Sequence, residues 1–176
     1  IFDEIQCGFG RTGKLWGFEH YNIIPDILLL GKALGGGMPL GAFISSHQRM
    51  QLLTANPVLG HITTFGGHPV CCAAGMAAME ALLQEQMIAP VSKKEQLFHK
   101  LLQHKGIKAV RSKGLLMAIE LESPEAVMTA LQKCLEKGLF SDWFLFAPEC
   151  IRIAPPLTIT EEEIEKSCGI LLERIQ

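Results

Sequence analysis

Four consecutive apolar residues, Ile27-Leu28-Leu29-Leu30, stand between the turn dipeptide Pro25-Asp26 and the run Gly31-Lys32-Ala33-Leu34-Gly35-Gly36-Gly37. A run this short, closed by a turn on one side and glycines on the other, predicts a strand buried on both faces. Such strands belong to largely parallel sheets covered by helices. Two further segments suit the same layer. Residues 1–6 read as a strand end running into the turn Cys7-Gly8-Phe9-Gly10-Arg11-Thr12-Gly13, and Gly41-Ala42-Phe43-Ile44-Ser45 reads as another short strand. Because the chain opens inside a strand pattern with no Met, it is expected to be a piece of a longer protein.

Residues 47–54 predict a short helix and 55–67 a loop. From His68 the pattern changes. Pro69 suits a first helical turn, and the Ala- and Met-rich stretch Val70 to Glu85 predicts a well-buried helix packed closely on its neighbours. Pro90 interrupts, and Val91 to Lys105 is amphipathic. The remainder predicts a strand (Ile107 to Leu121), a helix (Pro124 to Lys137), a strand (Leu145 to Ile153) and a helix (Glu161 to Ile175). Ser123-Pro124-Glu125 and Thr160-Glu161-Glu162-Glu163 are helix starts, a hydroxyl followed by acids, and Thr160 with Glu163 has capping-box spacing. A boundary falls between residues 86 and 92. It gives residues 1–88 as part of an α/β layer with a mostly parallel sheet and residues 89–176 as a smaller α+β unit.

The charge balance, 16 Lys+Arg against 18 Asp+Glu in 176 residues, argues against a basic nucleic-acid surface. Hydrophobic residues make up 48% and charged ones 19%, enough for a sizeable core. No apolar run approaches the roughly 20 residues of a membrane span. Six cysteines occur without a C-x-x-C pair, and Cys71 and Cys72 are adjacent. They read as small reduced core residues of a cytoplasmic protein, with neither a disulfide framework nor a metal site.

Gly8-x-Gly10-x-x-Gly13 has the letters of a dinucleotide-binding turn, but the following stretch has no helical period and meets Gly17 and Pro25. Gly31-Lys32 lacks the earlier glycine and the Ser/Thr of a phosphate loop. Lys32 sits just past an apolar strand, at the sheet edge where α/β proteins bind ligands. Among apolar walls its amine would lose its proton and become nucleophilic; otherwise it reaches to solvent. Asp3 ends the opening strand. It is either the carboxylate that a pyridoxal ring nitrogen needs or a turn residue capping backbone amides. Gln6 either donates to a ring oxygen or is an ordinary turn residue. Thr63-Thr64-Phe65-Gly66-Gly67-His68 suits a phosphate or a helix-capping loop. Arg152, a lone charge in an apolar strand, wants a carboxylate, either a structural acid or a substrate. His20, His47, His61, His99 and His104 lack ligand spacing.

Asp3-Glu4-Ile5-Gln6-x-Gly8-Phe9-Gly10-Arg11-Thr12-Gly13-Lys14 resembles the signature of class III pyridoxal-phosphate aminotransferases, as does Pro25-Asp26 followed by Gly31-Lys32-Ala33-Leu34-Gly35-Gly36-Gly37-x-Pro39-Leu40-Gly41-Ala42. Glu19-His20-Tyr21, Thr64-Phe65-Gly66-Gly67-His68-Pro69 and Arg152-x-x-Pro155-Pro156-Leu157 continue the likeness in order over the whole chain. It is closest in character to ornithine and acetylornithine aminotransferases.

The resemblance implies pyridoxal 5'-phosphate as cofactor and the type I aminotransferase fold, with residues 1–88 the later part of the large domain and 89–176 the small domain. It implies Lys32 as the Schiff-base lysine and proton shuttle, Asp3 as the pyridinium partner and Gln6 as a ring-hydroxyl contact. Thr64 becomes a phosphate ligand lent across a homodimer interface. Arg152 becomes the clamp on the α-carboxylate of an amino acid or 2-oxo acid, 2-oxoglutarate among them. Family members carry a long portion ahead of the Asp-Glu motif, so this chain alone is expected to bind cofactor weakly and to be inactive. An aminomutase, racemase or decarboxylase of the same fold, or a non-catalytic α/β interaction fragment, are the other readings.

Overall fold

The structure is a computed structural model that describes residues 1–175. Two compact units make up the chain, Ile1–Ile88 and Ala89–Gln176.

The first unit holds a three-stranded sheet of β1 (Phe2–Asp3), β2 (Ile27–Leu30) and β3 (Ala42–Ser45), in that order. β1 runs parallel to β2, with Phe2 opposite Leu28 and Asp3 opposite Leu29. β3 runs antiparallel to β2, so this part of the layer is mixed where the sequence favoured parallel strands. Chain length gives the reason: residues 31–41 hold only a 3-10 helix, Lys32–Gly35, and are too few for the crossover of about a dozen residues that a parallel return needs. Burial is also lower than expected. Leu30 is buried, whereas Ile27, Leu28 and Leu29 are half-buried.

Two helices complete this unit, α1 (His47–Gln51) and α2 (Pro69–Gln84). The small residues of α2 do pack closely, but on one side only. A Cβ on Gly75 would lie 2.5 Å from the Leu34 carbonyl oxygen, and one on Gly36 would lie 2.6 Å from that of Ala74. Gly36 also has a φ of +56°, so both sterics and backbone require glycine there. Within α2 only Cys71, Gly75 and Leu82 are buried, while Val70, Met76 and Leu83 are exposed. The helix is therefore not well buried: high apolar content without a 3.6-residue stripe left its covered face unreadable.

The second unit is α+β. α3 (Val91–Leu101), α4 (Pro124–Leu135) and α5 (Glu161–Leu172) accompany an antiparallel sheet of order β4-β5-β7-β6, built from β4 (Ala109–Lys113), β5 (Leu116–Glu120), β6 (Asp142–Phe144) and β7 (Ala147–Ile153). The strand expected over Ile107 to Leu121 is a hairpin, folded at Gly114 with φ +59°. Glycine at the first turn position is what a two-residue hairpin of type II′ uses. The strand expected over Leu145 to Ile153 begins later, and Asp142–Phe144 pairs with it. Its turn residues Leu145 and Phe146 are apolar yet exposed, so they carried no turn signal.

Alternation along β5 points Met117 and Ile119 into a core shared with Val91, Phe98, Val127, Ile151 and Ile164. Both expected helix starts are present. Ser123 Oγ accepts the Ala126 N–H, and Thr160 Oγ1 accepts the Glu163 N–H while Glu163 Oε2 accepts the Thr160 N–H.

Candidate active site

Parallel pairing of β1 and β2 brings their carboxyl ends to one edge of the sheet. Asp3 closes β1 and is level with Leu29; Lys32 comes two residues after Leu30, the last residue of β2. Adjacent strands lie about 4.8 Å apart, so the segments that carry Asp3 and Lys32 leave the sheet at the same edge. The turn leaving β1 meets the turn leaving β2 as well: a Cβ on Gly31 would lie 3.3 Å from Ile5 Cγ2.

Lys32 opens the 3-10 helix with a φ of +46°, a left-handed conformation that costs a non-glycine residue about 1 kcal/mol or more. Its side chain is exposed rather than enclosed by apolar walls. The strain is local and is held by the surrounding turn: Leu34 N–H donates to Gly31 O, and Gly36 N–H to Ala33 O.

Asp3 is exposed, and its Oδ1 accepts the Ile5 N–H at 2.9 Å, the turn-capping bond foreseen as one of its two readings. Gln6 is half-buried in the following turn. That turn uses left-handed Phe9, Gly10 and Gly13, and no helix starts at Gly13; the next helical segment is the 3-10 helix Gly17–Tyr21.

Glu4 was not singled out from the sequence. It is 3% exposed, and its two carboxylate oxygens accept the Gly17 and Phe18 N–H groups, each at 2.8 Å. Alternation along an opening strand was the available signal, since it sends Asp3 and Glu4 to opposite faces. Cys7 lies close by, and burial, then the charges of Glu4 and Asp3, push its thiol pKa up.

Thr64 lies on the stretch 51–70, every residue of which is exposed. It neither starts nor caps α2. That part falls to His68, whose Nδ1 accepts the Val70 N–H at 3.3 Å. From sequence the segment 63–68 reads as either a phosphate or a helix-capping loop, and the cap within it is the imidazole of His68, an uncommon capping group, rather than a hydroxyl.

Arg152 belongs to the second unit, in β7. Its Nη2 donates to Asp142 Oδ2 at 2.5 Å, and the two residues are partners across β6 and β7. The carboxylate foreseen for this guanidinium is thus present within the chain. A cavity of about 210 Å³ lies beside the pair, walled by Phe98, Phe140, Pro155 and Leu171. Cys168 also lines it, and burial pushes that thiol up to about 12.

The groups at the sheet edge fit pyridoxal phosphate by their chemistry: a carboxylate for a ring nitrogen at the end of β1 and a primary amine for an aldehyde two residues past the end of the parallel strand β2. Comparison with known proteins agrees. The family model "Aminotransferase class-III" matches residues 1–175. Acetylornithine aminotransferase of Caldanaerobacter subterraneus subsp. tengcongensis is 40% identical, over 97% of this chain and 43% of that protein. Among solved structures, acetylornithine aminotransferase from Elizabethkingia anophelis is 36% identical with a TM-score of 0.85, covering 99% of this chain and 45% of that one. Ornithine aminotransferase from Plasmodium yoelii gives 34% and 0.87, covering 98% and 46%. The chain thus spans less than half the length of these relatives. By its sheet-edge pair and by its likeness along almost its whole length, it belongs to the class-III aminotransferases, a pyridoxal-phosphate-dependent family.

Proposed function

We propose that the protein carrying this chain moves an amino group from an amino acid or amine donor to a 2-oxo acid, with 2-oxoglutarate as the acceptor. The observation that carries the reading is the in-register parallel pair that sets Asp3 and Lys32 at one sheet edge. When bound there, pyridoxal phosphate supplies an electron sink for the charge that develops at the substrate α-carbon. Lys32 Nζ would hold the cofactor's aldehyde end and would serve as general base and acid for the proton at the substrate α-carbon. Asp3 keeps a proton on the ring nitrogen, since an anion beside that nitrogen favours its charged form. Gln6 would supply the contact to the ring hydroxyl.

Arg152 binds the substrate carboxylate, the geometry for which guanidinium is suited. Thr64 donates its hydroxyl to the phosphate in the second subunit of a homodimer. Its exposed stretch supports this role, because Leu52, Val58, Leu59, Ile62 and Phe65 all stand in solvent there, an apolar surface of the kind buried between subunits. By itself the 176-residue stretch is expected to turn over no substrate, since relatives named for this activity are more than twice its length.

Borohydride reduction in the presence of pyridoxal phosphate, followed by peptide mapping of the full-length protein, tests the assignment. Label confined to Lys32 and absent from Lys32→Ala is expected, together with release of 2-oxoglutarate from glutamate. Label elsewhere, or none, overturns it.

A further inference from the structure

We propose that Glu4 is a positioning residue for Asp3, fixing the sheet-edge carboxylate from the opposite face of the strand; the proposal rests on the assignment of Asp3 to the cofactor ring. Glu4 ties three segments together. Its N–H donates to Leu29 O at 3.0 Å, which extends the β1–β2 pairing one step beyond Asp3. Its carbonyl accepts the Gly8 N–H at 3.0 Å and closes the turn that carries Gln6. Its carboxylate accepts the Gly17 and Phe18 N–H groups and so caps the 3-10 helix Gly17–Tyr21.

This fit leaves no slack. A Cβ on Gly17 would lie 3.1 and 3.2 Å from the two carboxylate oxygens, and one on Gly8 would lie 2.8 Å from the Glu4 carbonyl. A nearly fully buried carboxylate is retained only where donors replace its hydration, and here two backbone amides do so. Asp3, one residue earlier, is exposed, and its Oδ1 accepts the Ile5 N–H. The orientation of Asp3 therefore depends on the backbone that Glu4 anchors. Loss of that anchor frees Asp3 without touching its chemistry.

The experiment compares Glu4→Gln, Gly17→Ala and Asp3→Asn in the full-length protein. Three quantities are read: affinity for pyridoxal phosphate, pH titration of the bound cofactor's absorption band, and Tm. Gln keeps the shape but offers an amide donor to one backbone N–H; Gly17→Ala crowds the same carboxylate from outside and serves where Glu4→Gln does not fold. Either variant is expected to weaken cofactor affinity about tenfold, as loss of an orienting partner does elsewhere. Either should also move the absorption titration in the direction that Asp3→Asn moves it. A lowered Tm with unchanged affinity and titration overturns the proposal and leaves Glu4 a structural cap. If Asp3→Asn itself moves neither quantity, the assignment of Asp3 fails and the proposal with it.

Discussion

Asp142 and Arg152 meet across the β6–β7 pair as register partners, with Nη2 of the arginine donating to Oδ2 of the aspartate at 2.5 Å. Strand alternation places Arg152 on the face opposite Ile151, which is in the core. In the same cross-strand row, Ala118 separates Arg152 from Arg111. Arg111 is likewise engaged, by Glu120 and by Cys150 Sγ at 3.2 Å. Each guanidinium on this face is matched by an acid on the neighbouring strand, so Arg152 presents a partly neutralised charge.

Asp142→Asn removes that competing charge. If Arg152 clamps a substrate carboxylate, KM for the 2-oxo acid falls by up to about fivefold, the scale of one part-exposed ion pair, with a smaller change in kcat. Steady-state kinetics of the full-length protein check this. A raised KM would show instead that Asp142 is needed to aim the guanidinium.

Gly75→Ala and Gly169→Ala should act in opposite directions. The first puts a Cβ 2.5 Å from Leu34 O and costs about 1–3 kcal/mol through overpacking. Because Leu34 lies in the 3-10 helix opened by Lys32, cofactor affinity should fall too. The second, within α5, meets nothing within 4 Å and gains about 0.5–1 kcal/mol of helix propensity. Denaturant unfolding reads both.

The α5 capping box should fail in acid. The Thr160 N–H, then its hydroxyl, hold the Glu163 carboxyl below its ordinary value of 4.5. Since the folded state favours the ionised form, its contribution is fully present above that value and disappears as pH falls through the lowered one. The Tm gap between the parent and Glu163→Gln should therefore narrow from about pH 6 to about pH 3. Thr160→Ala costs about 1 kcal/mol at neutral pH. A gap that does not change with pH would rule out the carboxylate as its source.

Cysteine reactivity should follow exposure. Cys72 is exposed, while Cys71, Cys134, Cys150 and Cys168 are buried. Burial raises the last three, with Cys168 reaching about 12, so thiolate is scarce there at neutral pH. Iodoacetamide followed by mass mapping should label Cys72 first. Early labelling of Cys168 would contradict its packing.

Local chemistry determined much of this protein. Ser123 and Thr160 cap the helices they precede, the Pro-Asp and glycine punctuation marks β2, and the two strands that end at Asp3 and just before Gly31-Lys32 were readable as neighbours. These features depend on neighbours in sequence, which is why they were legible. Tertiary packing decided the rest. Chain length between Leu30 and Ala42 turned β3 antiparallel, and Gly114 split one expected strand into a hairpin. Burial of Glu4 behind Asp3 and pairing of Arg152 with Asp142 each bring together residues from different segments. No periodicity records such meetings, because a buried charge finds its partner in space and not along the chain.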